Sequence, residues 1–408
     1  HSRPFVPINS PSRCTNIAML HGNIPLENEW NYIQELCGHF AVAVPSKIST
    51  HLIIDFEIFK LKWERHTEFS SYTFIREGIG KEPYKETALA VVPKGWLKSM
   101  PGEMLVGVHL SVMNSNDEKD YDSDEILEIF GSHSIVGGKM SNGSATAWTD
   151  FRVHSDGFSR ILIKNLSMKS HQTGRLLQRL WEIETYRMMS LLAMPLIRDL
   201  GDATRTIELK LSENVSKMIN MHNSEEEQSL LETLTRLAAN VEHLSAETSF
   251  RFNASKAYYA LVLKRVENLK ETNVVGIHRI SNFLDRRLSP AMRTIESMDD
   301  RISILSRRVN RATNLLQTRI NTTLQVQNKE LLDSMDQRAR FQLRLQETVE
   351  GLSVVAISYY ALGIINVMLE PIVDYIPDFN ITLTTALCAP IVITAVFFSI
   401  RRIRKSIK

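Results

Sequence analysis

Two stretches near the C-terminal end limit what this 408-residue chain can fold into. Residues 351–369 (GLSVVAISYYALGIINVML) and residues 381–400 contain no charged side chain. Each comes close to the ~20 apolar residues that a helix needs to cross a bilayer. Arg340 and Arg344 precede the first run, and Arg401, Arg402, Arg404, Lys405 and Lys408 follow the second. The link between them holds Glu370, Asp374 and Asp378 and no base. Cytoplasmic flanks of membrane spans are rich in Lys and Arg, so the asymmetry predicts a hairpin with both ends in the cytoplasm and the link outside. A buried helical hairpin in a soluble core accounts less well for the run lengths and the charge distribution.

The chain leading into the first run reads as one long helix. Ser289-Pro290 has the form of a helix start, with Ser as N-cap and Pro at the first position, where its missing N–H costs nothing. No further proline occurs before Pro371. Ile295, Met298, Ile302, Leu305, Val309, Ala312 and Leu316 repeat at alternating spacings of three and four, and Arg301, Arg307, Arg308 and Arg311 lie between them. That pattern is an apolar stripe on a helical stalk, about 120 Å long if unbroken. The stripe lapses around residues 321–327, where the stalk either continues or breaks. Upstream, Leu176, Leu177, Leu180, Ile183, Tyr186, Met189 and Leu192 mark a helix ending near Met194-Pro195. Residues 207–219 and 226–269 mark two more, expected to lean on the stalk as a hairpin.

Residues 1–163 have a different texture. Short β-prone runs (TNIAML, HLIIDFEIF, and residues 69–75, 104–112, 145–153 and 158–163) alternate with helical pieces at residues 25–40, 84–97 and 124–130. Strands so close in sequence predict a largely antiparallel sheet with helices packed on it, an α+β domain. The expected order is therefore an α+β domain at 1–163, a helical region at 164–289, a stalk at 290–350 and spans at 351–369 and 381–400. The spans enclose an acidic link at 370–380 and precede a basic tail at 401–408. Near the N-terminus no basic-then-apolar segment occurs, so the N-terminal part is expected to stay cytoplasmic. The 48 basic and 46 acidic residues nearly cancel, which gives no argument for nucleic acid. Cys14, Cys37 and Cys388 show neither disulfide nor zinc-ligand spacing. No cofactor is expected.

Three groups of residues could carry chemistry. In HTEFSSYTF, His66, Glu68 and Ser70 share one face of a strand; in WTDFRVHSDGF, Trp148, Asp150, Arg152, His154 and Asp156 do the same. If those strands were neighbours, His66, Glu68, Asp150, Arg152 and His154 would form a patch able to bind a metal or a small anion, or simply a salt-bridged sheet face. Asp120, Asp122 and Asp124 imitate a calcium loop, but Glu125 stands where glycine is needed and Gly131 where glutamate is needed. Gly137-Gly138 reads as a turn. In the first apolar run, Thr348, Gly351, Ser358 and Asn366 align on one side, either for helix packing or as a pore lining, with Glu370, Asp374 and Asp378 as an external acidic ring. No nucleophile elbow, phosphate loop, HExxH or kinase signature occurs.

The stretches HSRPF, RHTEFSSYTF, WTDFRVHSDGF, RLWEIETYR, ETSFRF, NKELLDSMDQRA and LRLQETVEGLSVVAISYY spread over nearly the whole chain. In them the chain resembles a bacterial family of uncharacterised membrane-anchored proteins, defined as a domain of unknown function. That resemblance implies an anchor in the bacterial inner membrane and supplies no activity. The layout is also similar to that of the CorA-type magnesium channels, which are homopentamers with a Gly-Met-Asn signature ending the first span. Here Gly363 and Asn366 enclose two residues instead of one. The expectations are an oligomeric interaction or scaffold protein in a lipid bilayer, or alternatively a divergent CorA-like channel for a divalent cation. An enzyme using the cytoplasmic polar patch is a further alternative.

Overall fold

The computed structural model describes residues 5–44, 47–78, 82–114, 123–131, 133–221, 223–370 and 381–407, and of Ser123, Asp124 and the last four the backbone only. Asp120, Asp122, Asp374, Asp378 and Lys408 therefore lie outside the described residues. The chain forms two compact units, residues 1–313 and 314–408. The first contains both the α+β region and the helices that follow it.

Its elements run β1 (Ser12–Leu20), α1 (Leu26–His39), β2 (His51–Asp55), β3 (Lys60–Arg65), β4 (Phe69–Glu77), α2 (Lys94–Lys98), β5 (Glu103–Asn114) and α3 (Ser123–Ile129), then β6 (Val136–Met140), β7 (Ala145–Thr149) and β8 (Ser159–Asn165). The strands make one sheet in the order β2-β3-β4-β1-β5-β8-β7-β6. Every pairing is antiparallel except that of β5 with β8. Alternation sorts the side chains into two layers. Ile17, Leu61, Trp63, Tyr72 and Phe74 point to the face covered by α1, whose Trp30, Ile33 and Leu36 complete an aromatic core. A buried carboxylate fastens this layer: Glu29 accepts from Trp63 Nε1 (3.2 Å), Ser70 Oγ (2.5 Å) and Arg65 Nη1 (2.5 Å).

Helices cover the opposite face. α4 (Ser170–Leu191), α5 (Met194–Asn220) and α6 (Ser224–Leu269) follow the sheet. Phe69 of β4 meets Tyr186 of α4 and Tyr258 of α6. Arg251 of α6 makes a bidentate pair with Glu68 at 2.7 and 3.1 Å. Pro195 occupies the first turn of α5, where it interrupts no bond.

Several elements depart from the sequence expectations. β3 (KLKWER) was hidden by its charges, yet Lys62 and Glu64 are buried and pair at 2.9 Å. Residues 84–97 form no single helix, only a 3-10 turn at Ala88–Val91 and α2, because Pro93 separates them. Gly137-Gly138 is not a turn but the middle of β6. A Cβ on Gly137 would lie 2.1 Å from the Ala147 carbonyl oxygen, and one on Gly138 would lie 2.7 Å from that of Thr272. Glycine is required because backbone presses on the strand from both neighbours.

The long helix, α7 (Ile280–Leu369), is continuous through residues 321–327 but begins ten residues before Pro290, which lies inside it. Ser289 is therefore not the N-cap. The true start is held by Glu271, whose carboxylate accepts from the backbone N–H of Ile280 (2.6 Å) and Ser281 (3.0 Å). A side chain nine residues upstream thus satisfies two orphan donors and complements the helix dipole. The heptad stripe from Ile295 to Leu316 is buried. Arg301 pairs bidentately with Glu208 of α5 (2.8 and 2.7 Å), and Lys256 of α6 pairs with Asp299 (2.6 Å). These partners are the expected helical hairpin beside the stalk.

The second unit contains the rest of α7 and α8 (Ile381–Ile407). Among the described residues, α7 and α8 are long and apolar enough to cross a membrane, and their most apolar stretches are almost entirely exposed.

Gly137→Ala is expected to destabilise the first unit by roughly 3 kcal/mol or more, since the clash is with backbone that cannot swing away. Gly38→Ala on α1, where a Cβ meets nothing within 4 Å, should be neutral or slightly stabilising. Thermal unfolding of the two variants checks the contrast.

Candidate functional site

The sheet separates the residues expected to form one polar patch. β4 and β7 stand four positions apart, about 19 Å at strand spacing. His66 stacks on Phe69 at 4.3 Å, and Glu68 is committed to Arg251. Neither shares a cluster with Asp150, Arg152 and His154. Nor are the latter on one strand face, because β7 ends at Thr149 and Phe151 adopts a left-handed backbone with φ of 52°. A bulky residue enters that region rarely, at a cost of order 1–3 kcal/mol. Thr149 Oγ1 accepts from the Phe151 N–H (3.2 Å) and Asp150 Oδ1 from the Arg152 N–H (3.2 Å), which stabilise the turn.

That turn organises the most polar cluster near the sheet. The Asp150 side chain is fully buried, with His154 Nε2 at 3.1 Å and His133 Nδ1 at 3.3 Å from its Oδ2. A buried carboxylate flanked by two imidazoles can orient them for proton transfer. No hydroxyl or thiol hydrogen-bonds to either ring among the described residues, so nothing stands as a nucleophile beside them. Among the described residues no three His, Cys, Asp or Glu are arranged to hold a metal ion.

Beside this cluster opens a cleft of about 560 Å³, lined in part by Asp150, Arg152, Arg187, His278, Arg286 and Arg287. Its walls come from the turn after β7, from α4 and from the start of α7. The chain reaches that place by returning to the sheet edge: His278 and Thr272 bridge to Val136 and Lys139 of β6. The backbone N–H of Gly137 donates to the His278 carbonyl at 2.8 Å, and those of Lys139 and Thr272 exchange bonds at 3.1 and 2.8 Å. This closes an otherwise open edge and launches α7 with Phe283 against Phe151. The two rings stack at 4.8 Å and 4°. Arg187 lies over Phe151 (5.3 Å) and Arg287 over Phe283 (5.9 Å). Of the cleft residues, only Asp150 and Arg152 were singled out in the sequence. Arg187, Phe283, Arg286 and Arg287 sit on helices with ordinary amphipathic patterns and carried no local signal.

In the C-terminal unit the expected stripe has divided roles. Thr348 bonds back to the Arg344 carbonyl (2.9 Å), and a Cβ on Gly351 would meet nothing within 4 Å. Ser358 is buried. The Asn366 side-chain oxygen accepts from Thr385 Oγ1 of α8 at 3.3 Å, an inter-helix bond. Glu370 directly follows α7, and its two expected acidic partners lie outside the described residues.

Away from these groups, His109 is buried on β5 with Nδ1 2.8 Å from Thr15 Oγ1 and its ring stacked on Phe158 at 4.2 Å. Burial pushes it down to about 4, opposed by the smaller effect of Asp156 and reinforced by that of Arg160. Burial likewise pushes the Cys14 thiol far up, which makes it inert. The folded state binds His109 neutral, so its contribution is complete above the unfolded value near 6.5 and declines as pH falls towards 4. Stability is expected to drop by about 3 kcal/mol across that window, and His109→Gln should flatten the decline. Thermal unfolding measured from pH 7 to pH 4 tests both.

The family model described as "Protein of unknown function (DUF3422)" matches residues 1–407. No curated protein and no solved structure matches the chain.

Proposed function

The chain belongs to the DUF3422 family, a family of unknown function, and on that premise we propose that it is a membrane-anchored protein whose α+β unit faces the cytoplasm of a bacterial cell. The observation that carries this is the surface of the two C-terminal helices. Val355, Tyr359, Ile364, Val367 and Met368 on α7, and Leu387, Ile391 and Phe398 on α8, are exposed. Left in water, each buried-sized apolar side chain forgoes about 1.5–3 kcal/mol, which a bilayer restores. The basic residues at both flanks and the acidic link favour cytoplasmic ends, and the inner membrane is the membrane this orientation fits.

Within the bilayer the hairpin serves as an anchor. The Asn366–Thr385 bond supports packing between the spans over a pore lining, since it directs the amide at the neighbouring helix. Between stalk and span, Leu331, Leu332, Met335 and Phe341 are exposed on α7. A second copy pairing along that stretch would cover them, which supports a homo-oligomeric scaffold in which the stalk displays the α+β unit.

Alkaline carbonate washing of membranes tests the anchor. The full chain is expected to stay in the pellet, and a chain ending at residue 345 should move to the supernatant. Release of the full chain would remove the reading. A cysteine placed at Asp374 should label with a membrane-impermeant maleimide in intact spheroplasts, while one placed at Lys408 should not. The reverse pattern would invert the orientation. Liposomes holding the protein are expected to pass no magnesium, and flux abolished by Asn366→Ala would make the hairpin a channel instead.

A further inference from the structure

We propose that the arginine-lined cleft between the turn after β7 and the start of α7 binds a soluble phosphate ester carrying at least two negative charges. The inference is independent of the membrane anchor and rests on the first unit alone. Arg152, Arg187, Arg286 and Arg287 reach the cleft from three elements distant in sequence. Asp150 is the acidic residue among the lining; its carboxylate is hydrogen-bonded to His133 and to the Arg152 N–H, with His154 Nε2 at 3.1 Å. Arg187 pairs with Glu184 at 2.7 Å, whereas Arg152, Arg286 and Arg287 have no carboxylate partner among the described residues. Three like charges gathered without a carboxylate partner of their own repel one another, and a bound polyanion reverses the sign.

The guanidinium groups are also held in a form that suits phosphate. Phe151 and Phe283 make a parallel stack, with Arg187 over one ring and Arg287 over the other. The rings hold both guanidinium groups near the cleft; Arg187 spends Nη2 on Glu184, whereas the N–H groups of Arg287 have no carboxylate partner among the described residues and can donate to phosphate oxygens. Arg187 Nε is buried with no acceptor in the protein. Such an orphan donor is costly unless a ligand meets it. The left-handed φ of Phe151 is the backbone distortion that seats its ring in the stack. A cleft of about 560 Å³ has room for a small organic body beyond the phosphate groups. The surplus of arginines favours a multiply charged phosphate ester over a single carboxylate.

The test uses the full-length protein in neutral detergent and isothermal titration calorimetry. Probes are inorganic pyrophosphate and glucose 6-phosphate, with citrate and dihexanoyl phosphatidylglycerol as competitors of other chemistry. Saturable binding of both probes is expected, of glucose 6-phosphate as the ester and of pyrophosphate as a bare polyanion. The exposed double variant Arg152→Ala, Arg286→Ala should weaken it about tenfold or more, Arg286→Lys should weaken it less, and Arg236→Ala on the exposed side of α6 should leave it unchanged. Unaltered thermal unfolding of the double variant establishes that the fold is kept. Three results would overturn the proposal: no saturation by either phosphate up to about 10 mM, equal losses in the double variant and in Arg236→Ala, or citrate or the lipid binding as tightly as pyrophosphate.

Discussion

The parallel pairing of β5 with β8 is the joint on which the first unit depends. It runs from Val108 opposite Ser159 to Asn114 opposite Asn165, and it fuses an antiparallel sheet of β2, β3, β4, β1 and β5 to a meander of β6, β7 and β8. Parallel neighbours cannot be linked by a tight turn. The chain between them instead makes α3, β6 and β7, and Ile126 and Phe130 pack on Met113, Trp148 and Leu162 across the joint. Asn165 secures the end of β8, donating to Ser10 Oγ (3.0 Å) and the Met168 carbonyl (3.1 Å). Lose this pairing and the turn after β7, with Asp150 and Phe151, has no fixed position.

The sheet edge supplies the second constraint. β6 would offer unpaired backbone to solvent, and the segment before α7 comes back to cover it. That return is possible because Gly137 and Gly138 carry no side chain where the backbone of Ala147 and Thr272 must lie. It starts at Glu271, whose carboxylate caps α7 where the segment ends. Edge protection, helix initiation and the Phe151–Phe283 stack are therefore consequences of one chain path. The cationic cleft is assembled by that path and not by any local motif.

α7 passes through different surroundings without a change in secondary structure. Up to Ala312 its stripe is buried, and Arg301 and Asp299 pair with α5 and α6. Between residues 321 and 349 every side chain is exposed, and helix propensity and intrahelical pairs such as Arg340 with Asp336 (2.8 Å) support it. Beyond residue 350 the sequence sheds its charges. A single backbone conformation thus serves a packed core, a solvated stretch and an apolar run, because α-helical hydrogen bonds are satisfied within the segment whatever surrounds it.

Some of this was legible in the chain itself. Periodicity determined the helices at residues 176–192 and 226–269 and the stripe of α7, and the two uncharged runs determined the apolar C-terminal helices, because such patterns report how much of a helix meets water or apolar surroundings. The α+β character followed from short alternating strands. Tertiary structure alone decided which strands are neighbours, and so parted His66 and Glu68 from Asp150 and His154. It made a strand of Gly137-Gly138, buried the Lys62–Glu64 pair in β3 and moved the start of α7 ahead of Pro290. Each of these depends on a partner far away in sequence: the backbone at Ala147 and Thr272, the neighbouring strands of the sheet, the carboxylate of Glu271. The cleft is the extreme case, since Arg152, Arg187 and Arg286 become neighbours only when the sheet edge is closed. Local patterns encode burial along one element, whereas convergence of charge from three elements is a property of the path between them.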